Sequence, residues 1–234
     1  MSRPPLQTLH SWDVTPKQAI QIQLRLASLV HEETLRGRVR TVAGVDCAFF
    51  RDTGRVIVVG VLCSVPDMTV LEESRCILPC TFPYVPGLLS FREAPAVIKA
   101  VEGFSDTPDL LMCDSQGRAH PRRFGLACHV GVWLQLPTIG VAKNRLCGSH
   151  CTPGQRRGCR TQLRLDSEVV GMVVRTRTNV KPVYVSTGQM ATLKDAVRWT
   201  LRCARGYRLP EPTRQAHLRV TRWKKTLRTV EQAK

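Results

Sequence analysis

Leu110-Leu111-Met112-Cys113-Asp114-Ser115-Gln116-Gly117-Arg118-Ala119-His120-Pro121-Arg122-Arg123 is the stretch on which the fold reading turns. Its first four residues form a short apolar run closed by an acid, the pattern of a buried strand. Residues 124–134 then repeat apolar side chains at helical spacing, and residues 138–141 form a second apolar run. Strand, helix and strand in that order predict a parallel βα unit. Asp114 then stands at the carboxyl end of a strand, where open α/β sheets place their ligand sites. An aspartate after an apolar run also serves as a simple turn or helix cap, so the rest of the chain has to decide between the two.

Upstream, Thr15-Pro16 sets a cap and a first-position proline ahead of a helix over 17–30. Three β-rich runs follow, 41–50, 56–64 and 69–77, joined by the turn formers Asp52-Thr53-Gly54 and Pro66-Asp67. An antiparallel meander is the simplest reading. A helix over 91–101 leads into the βα unit. Downstream, 169–175 and 183–186 read as strands, 193–204 and 217–227 as helices, and 148–162 as a basic loop. The fold class is therefore α/β, with a mixed sheet flanked by helices. The 234 residues are 43% hydrophobic and contain no linker or internal repeat, which predicts one domain, 1–234, ending in a basic helix about 213–234.

The chain carries 35 Lys+Arg against 18 Asp+Glu, a formal charge of +17, so its natural partner is a polyanion. No apolar run approaches the ~18 residues of a membrane span, and the start, Met1-Ser2-Arg3-Pro4-Pro5-Leu6, lacks a secretory pattern. A cytoplasmic protein with reduced thiols is expected, which excludes a disulfide scaffold for the ten cysteines. Cys147, His150, Cys151 and Cys159 offer soft ligands, but their spacing matches no paired zinc pattern, and they are left out of the mechanism.

Three acids merit a joint reading. Asp46 interrupts the apolar run Val42-Ala43-Gly44-Val45, where a buried charge needs a partner, either an arginine or a cation. Glu93 opens the helix that follows Pro83-Tyr84-Val85-Pro86-Gly87, and Asp114 ends the first parallel strand. Brought together, three carboxylates would repel unless a divalent ion sat among them, and hard oxygen ligands select Mg²⁺, with Mn²⁺ as its substitute. That predicts phosphoryl-transfer chemistry. Lys143, at the end of Thr138-Ile139-Gly140-Val141-Ala142, reaches the same edge, either to meet a phosphate or as a solvated strand end. His120 is a candidate proton shuttle or a loop histidine.

Taken in order, Val42-Ala43-Gly44-Val45-Asp46, residues 82–93, 114–129, 137–143 and 209–217 resemble the motifs of endonuclease V, the repair nuclease of deaminated adenine, over nearly the whole chain. The resemblance implies a ribonuclease H-like fold. It implies that Asp46, Glu93 and Asp114 bind the metal, and that His120, Lys143 and His217 act in the active site. Tyr84 would be a wedge stiffened by Pro83 and Pro86. Gly87, Leu89, Ser115 and Gly117 would line the base pocket. The implied reaction is Mg²⁺-dependent hydrolysis of the second phosphodiester bond 3′ to a deoxyinosine in DNA, leaving a 3′-hydroxyl and a 5′-phosphate. Inosine-containing RNA is the alternative substrate, and a silent nucleic-acid-binding protein the alternative class. Departures from the family pattern are Ser115 in place of a glycine, Gln189 in place of a histidine and Cys128 in place of a serine. The basic run Arg219, Arg222, Lys224, Lys225 and Arg228 fits a backbone-contacting helix face or a solvated one. A monomer is the default expectation.

Overall fold

A computed structural model of the chain describes residues 8–50 and 52–232. Helix α1 (Pro16–Leu26) starts at a capping box in which Thr15 and Gln18 exchange side-chain and backbone hydrogen bonds, with Pro16 at the first position. It ends sooner than its sequence pattern implied and passes into a 3-10 turn, Ala27–Leu29. Strands β1 (Thr41–Phe50), β2 (Arg55–Ser64) and β3 (Val70–Pro79) form the meander, with Gly54 at φ +60° in the first turn. Helix α2 (Leu89–Glu102), strand β4 (Leu110–Cys113), helix α3 (Leu126–Leu134) and strand β5 (Thr138–Ala142) follow. Strands β6 (Arg160–Leu165), β7 (Glu168–Val174) and β8 (Val183–Gln189), then helices α4 (Leu193–Cys203) and α5 (Glu211–Gln232), complete the order.

All eight strands join one sheet in the order β3-β2-β1-β4-β5-β8-β7-β6. The β1–β4 and β4–β5 pairs are parallel and the others antiparallel, so the sheet is mixed as the sequence predicts. Alternate strand residues divide between two cores. Val42, Val59, Leu110 and Ile139 pack with Trp199 of α4 and Val220 of α5 on one face. Ala43, Val58 and Leu111 pack with Val97 of α2 and Val130 of α3 on the other. Burial on both faces explains why β4 reads as four consecutive apolar residues rather than as an alternation.

Two expectations need correction. Within the segment read as a basic loop, Arg160–Leu165 is the edge strand β6; Arg160, Gln162 and Arg164 face solvent and only Leu163 is buried. Charged, outward-facing residues are what an edge strand tolerates, and they mask its period-2 signal. Glu93 does not open its helix either. Helix α2 begins at Leu89, which moves Glu93 into the second turn.

Helix α5 also starts earlier than its pattern, at Glu211, and its first turn lies directly on β1. A Cβ added to Gly44 would fall 2.2 Å from the Pro212 carbonyl carbon, so only glycine permits this approach. That contact fixes where His217, one turn further along α5, meets the strand.

Candidate active site

The carboxylates meet because of strand register. Val45 of β1 pairs with Cys113 of β4, so Asp46 and Asp114 leave adjacent parallel strands at the same level. His217 reaches them from α5. One ligand atom from each of Asp46, Asp114 and His217 lies within 4.8 Å of the others, and no other metal-suited group of three His, Cys, Asp or Glu occurs among the described residues. Cys147, His150, Cys151 and Cys159 therefore form no such group. His150 lies 3.4 Å from the Tyr184 hydroxyl instead.

Within the group, His217 Nδ1 donates to Asp46 Oδ2 at 2.6 Å. Lys143 Nζ is ion-paired with Asp114 Oδ2, yet no hydrogen bond of good alignment reaches that buried oxygen. Burial and the neighbouring Asp46 push the Asp114 carboxyl up, an effect that Lys143 partly offsets. Glu93 sits deeper, beside the Cys47 thiol. Burial first, then Asp46 and Asp114, push its carboxyl up to about 8. Glu93 is thus within the electrostatic reach of the pair, while the compact group is completed by His217. Hard oxygen donors this close together, with the Asp114 and Glu93 carboxyls pushed up by burial and by Asp46, suit a divalent cation. Asp46 and Asp114 would hold it, with Glu93 and His217 at its margins.

The cleft around these groups measures about 430 Å³. Its rim is the loop 83–87, where Pro83, Tyr84 and Pro86 are exposed, Tyr84 to 74%. Gly87, at φ +79°, turns its carbonyl inward. That oxygen accepts from His120 Nε2 at 2.9 Å, Arg122 Nη2 at 2.7 Å and Gln23 Nε2 at 3.1 Å. His120 Nδ1 in turn accepts from the Arg122 N–H. Burial, with Arg122 and Arg123 nearby, pulls the His120 imidazole down to about 4, so it is neutral at pH 7. His120 borders the cleft, and its ring nitrogens are occupied, Nε2 by the rim loop and Nδ1 by its own turn.

Gln23 and Arg122 were not singled out from the sequence. Arg122 Nε donates to Gln23 Oε1 at 2.6 Å, and Gln23 also donates to the Phe124 carbonyl. The available signal was a glutamine on the apolar face of α1, fully buried in the structure.

Leu89, Ser115 and Gln116 line the cleft, and the buried Ser115 hydroxyl and Gln116 Oε1 have no hydrogen-bond partner. Gly117 does not line it. Its N–H is bonded to Ser186 Oγ at 2.9 Å, and a Cβ there would fall 1.9 Å from the Thr187 carbonyl oxygen, so this glycine serves strand packing. The other departures from the family pattern lie in the packed interior. Gln189 Oε1 accepts from the His31 N–H at 2.8 Å, and Cys128 is fully buried.

Comparison with known proteins bears on the family and the fold. The sequence model of the endonuclease V family matches residues 23–218. Endonuclease V of Methanothrix thermoacetophila is 48% identical over 212 residues, covering 91% of this chain and 93% of its own. The crystal structure of endonuclease V from Streptomyces avermitilis superposes with a TM-score of 0.88 at 39% identity, covering 93% of this chain and 96% of its own. Human endonuclease V superposes with a TM-score of 0.82 at 32% identity, over 91% and 99%. The ribonuclease H-like fold is thereby shown, and with a family match across most of its length and close relatives nearly half identical, this chain belongs to the endonuclease V family of nucleases.

Proposed function

We propose that this chain is a Mg²⁺-dependent endodeoxyribonuclease that recognises deoxyinosine and hydrolyses the second phosphodiester bond on its 3′ side, leaving a 3′-hydroxyl and a 5′-phosphate. The observation that carries the reading is the Asp46, Asp114 and His217 group, two carboxylates on adjacent strands with one buried oxygen lacking an aligned donor. Bound Mg²⁺ would supply Lewis-acid stabilisation of charge on the phosphoryl oxygens; Mn²⁺ would substitute.

The remaining roles belong to side chains. Lys143, one-third exposed beside Asp114, supplies a positive charge to the phosphate or orients the attacking water. His217 orients Asp46. His120 keeps the Gly87 carbonyl turned inward and so shapes the rim near the scissile phosphate. Tyr84 stands above the cleft on a proline-braced loop, suited to fill the gap that a flipped base leaves, a step that costs a few kcal/mol. Ser115 and Gln116 offer unspent polar atoms to the base. No described helix is long and apolar enough to cross a membrane.

Inosine in RNA is the second reading. A Ciona intestinalis endonuclease V has been crystallised on a DNA strand containing an inosine followed by a ribo-adenosine, and it shares the fold at a TM-score of 0.78. End-labelled duplexes with a single deoxyinosine, and RNA of the same sequence, incubated with Mg²⁺ or EDTA beside Asp114→Ala, test both readings. A metal-dependent nick 3′ to the inosine in DNA is expected. Cleavage of RNA alone moves the substrate, and cleavage of neither despite tight binding rejects the nuclease.

A further inference from the structure

Residues 8–14 run as a strap ahead of α1, and among the described residues two polar contacts tie them to the rest of the chain. Arg25 Nη2 donates to the Leu9 carbonyl at 3.0 Å, and His10 Nε2 meets Nε2 of His129, on α3, at 2.7 Å. Aromatic rings surround the second contact. The Trp12 ring centroid lies 4.9 Å from that of His129 and 4.7 Å from that of Trp133, and Phe91 of α2 lies 5.6 Å from His10. His10 is half-buried and His129 fully buried.

Proton counting restricts what this pair can do. His10 Nδ1 lies 2.7 Å from the Ser11 carbonyl, which only accepts, so Nδ1 carries a proton. A second proton lies between the two Nε2 atoms, and a neutral pair has no other. His129 Nδ1 is buried without a hydrogen-bond partner. A third proton must therefore go to that nitrogen, as an unpaired N–H among apolar rings, or between the Nε2 atoms, as a second N–H facing the first. Either position is costly. No acid is hydrogen-bonded to either ring among the described residues. Arg25 of α1 disfavours a cation at His10, Phe91 of α2 and Phe124 and Trp133 around α3 carry no charge, and Asp13 of the strap is exposed. Burial pulls both imidazoles below the usual histidine range, His129 the further.

We propose that the His10–His129 contact is an acid-sensitive latch, closed at neutral pH and opened when the pair takes up a proton, so that the strap lifts from α2 and α3 while the sheet stays folded. The latch is complete above the ordinary histidine range and is lost as pH falls through the lowered values of the pair. Opening is local, because no strand of the sheet lies within residues 8–14.

Acrylamide quenching of tryptophan fluorescence, read beside far-UV circular dichroism from pH 7.5 to 4.5, tests this, since Trp12 and Trp133 flank the latch and acrylamide carries no charge. The wild-type quenching constant should rise by roughly half while the dichroism holds, as two of the four tryptophans gain solvent. His129→Phe keeps a ring in the buried position and removes the proton acceptor. His10→Gln, at a half-buried position that tolerates the change, keeps an amide oxygen for the His129 N–H and decides the matter alone should His129→Phe not fold. Both variants should stay closed over that range. Opening of His10→Gln at the wild-type pH overturns the proposal. So does a flat wild-type quenching constant, and so does a rise that coincides with loss of dichroism, which is global unfolding.

Discussion

Asp195 and Asp114 have side chains 4% and 5% exposed, yet their surroundings differ in kind. Asp195, in the first turn of α4, accepts from Thr192 Oγ1 at 2.6 Å and from the Thr192 and Leu35 backbone N–H groups, and pairs with Arg198 at 3.0 Å. Asp114 has a single partner, Lys143, on Oδ2, in poor hydrogen-bond alignment, and Asp46 beside it. A buried carboxylate with donors on every side braces the fold. One short of donors and facing another carboxylate holds repulsion that a cation relieves, which marks a site for function.

Substituting both residues is the most direct way to break that contrast. Asp114→Ala should lower cleavage by roughly a thousandfold or more, since several kcal/mol of charge stabilisation depend on the metal. The melting temperature of the metal-free protein should hold or rise. Asp195→Ala should do the opposite, costing about 2 kcal/mol of stability through the lost cap while cleavage per folded molecule stays within about twofold. Cleavage rates beside urea unfolding curves decide it. A destabilised Asp114→Ala would place both aspartates in the same class.

Glu93 sharpens the contrast through pH. Its folded-state pKa, about 8, lies above the ordinary 4.5, so the folded metal-free protein holds a proton that the unfolded chain releases between those values. Stability without metal should therefore fall as pH rises from 4.5 to 8. Mg²⁺ competes with that proton, so its stabilising effect should grow over the same range and vanish in Asp114→Ala. Thermal scans at pH 5.5, 7 and 8.5, with and without Mg²⁺, measure it. A pH-independent Mg²⁺ shift would remove Glu93 from the metal's surroundings.

His120 gives the corresponding test on the structural side of the cleft. Its folded pKa of about 4 lies below the ordinary 6.5, so the unfolded state gains a proton that the folded state refuses. Stability should be lost as pH falls from 6.5 towards 4, by an amount of the order of 3 kcal/mol. His129, also held well below its ordinary value by burial and by His10, acts in the same direction. His120→Gln should flatten part of that acid slope in urea titrations at pH 7, 5.5 and 4.5. An unchanged slope would free His120 from its bracing role.

The same physics explains what could be read from the chain. The meander and the βα unit were legible because period-2 runs, unbroken apolar runs and turn formers are local signals. Asp46 and Asp114 stood out as acids inside or closing apolar runs, and parallel register brings them together. The brace on Gly87 was not legible, because Gln23 and Arg122 are 99 residues apart and neither has a local reason to be special. Strand β6 hid because a single buried leucine sets its inner face. Gly117 is assigned to a base pocket by the family resemblance, whereas its close contact is with β8, which sequence distance conceals. His217 came from the family motif. Its place beside Asp46 depends on the close approach of Pro212 to Gly44.

The contrast extends to apolar side chains two residues apart in the rim loop. Phe82 is 6% exposed and packs against Phe91, with ring centroids 5.4 Å apart, whereas Tyr84 is 74% exposed. Prolines on either side of the Tyr84-Val85 pair limit the backbone freedom of the loop, and the braced Gly87 carbonyl anchors its end. An aromatic ring held out in water by a stiffened loop gives up burial that the fold could have used, just as Asp114 gives up hydrogen bonds. Tyr84→Ala should therefore leave stability within about 0.5 kcal/mol of wild type. Cleavage of a deoxyinosine duplex should fall about tenfold, the scale of one lost base–aromatic contact. Tyr84→Phe, which keeps the ring, should retain most of the rate. A Tyr84→Ala protein that is destabilised but cuts normally would make Tyr84 a packing residue like Phe82.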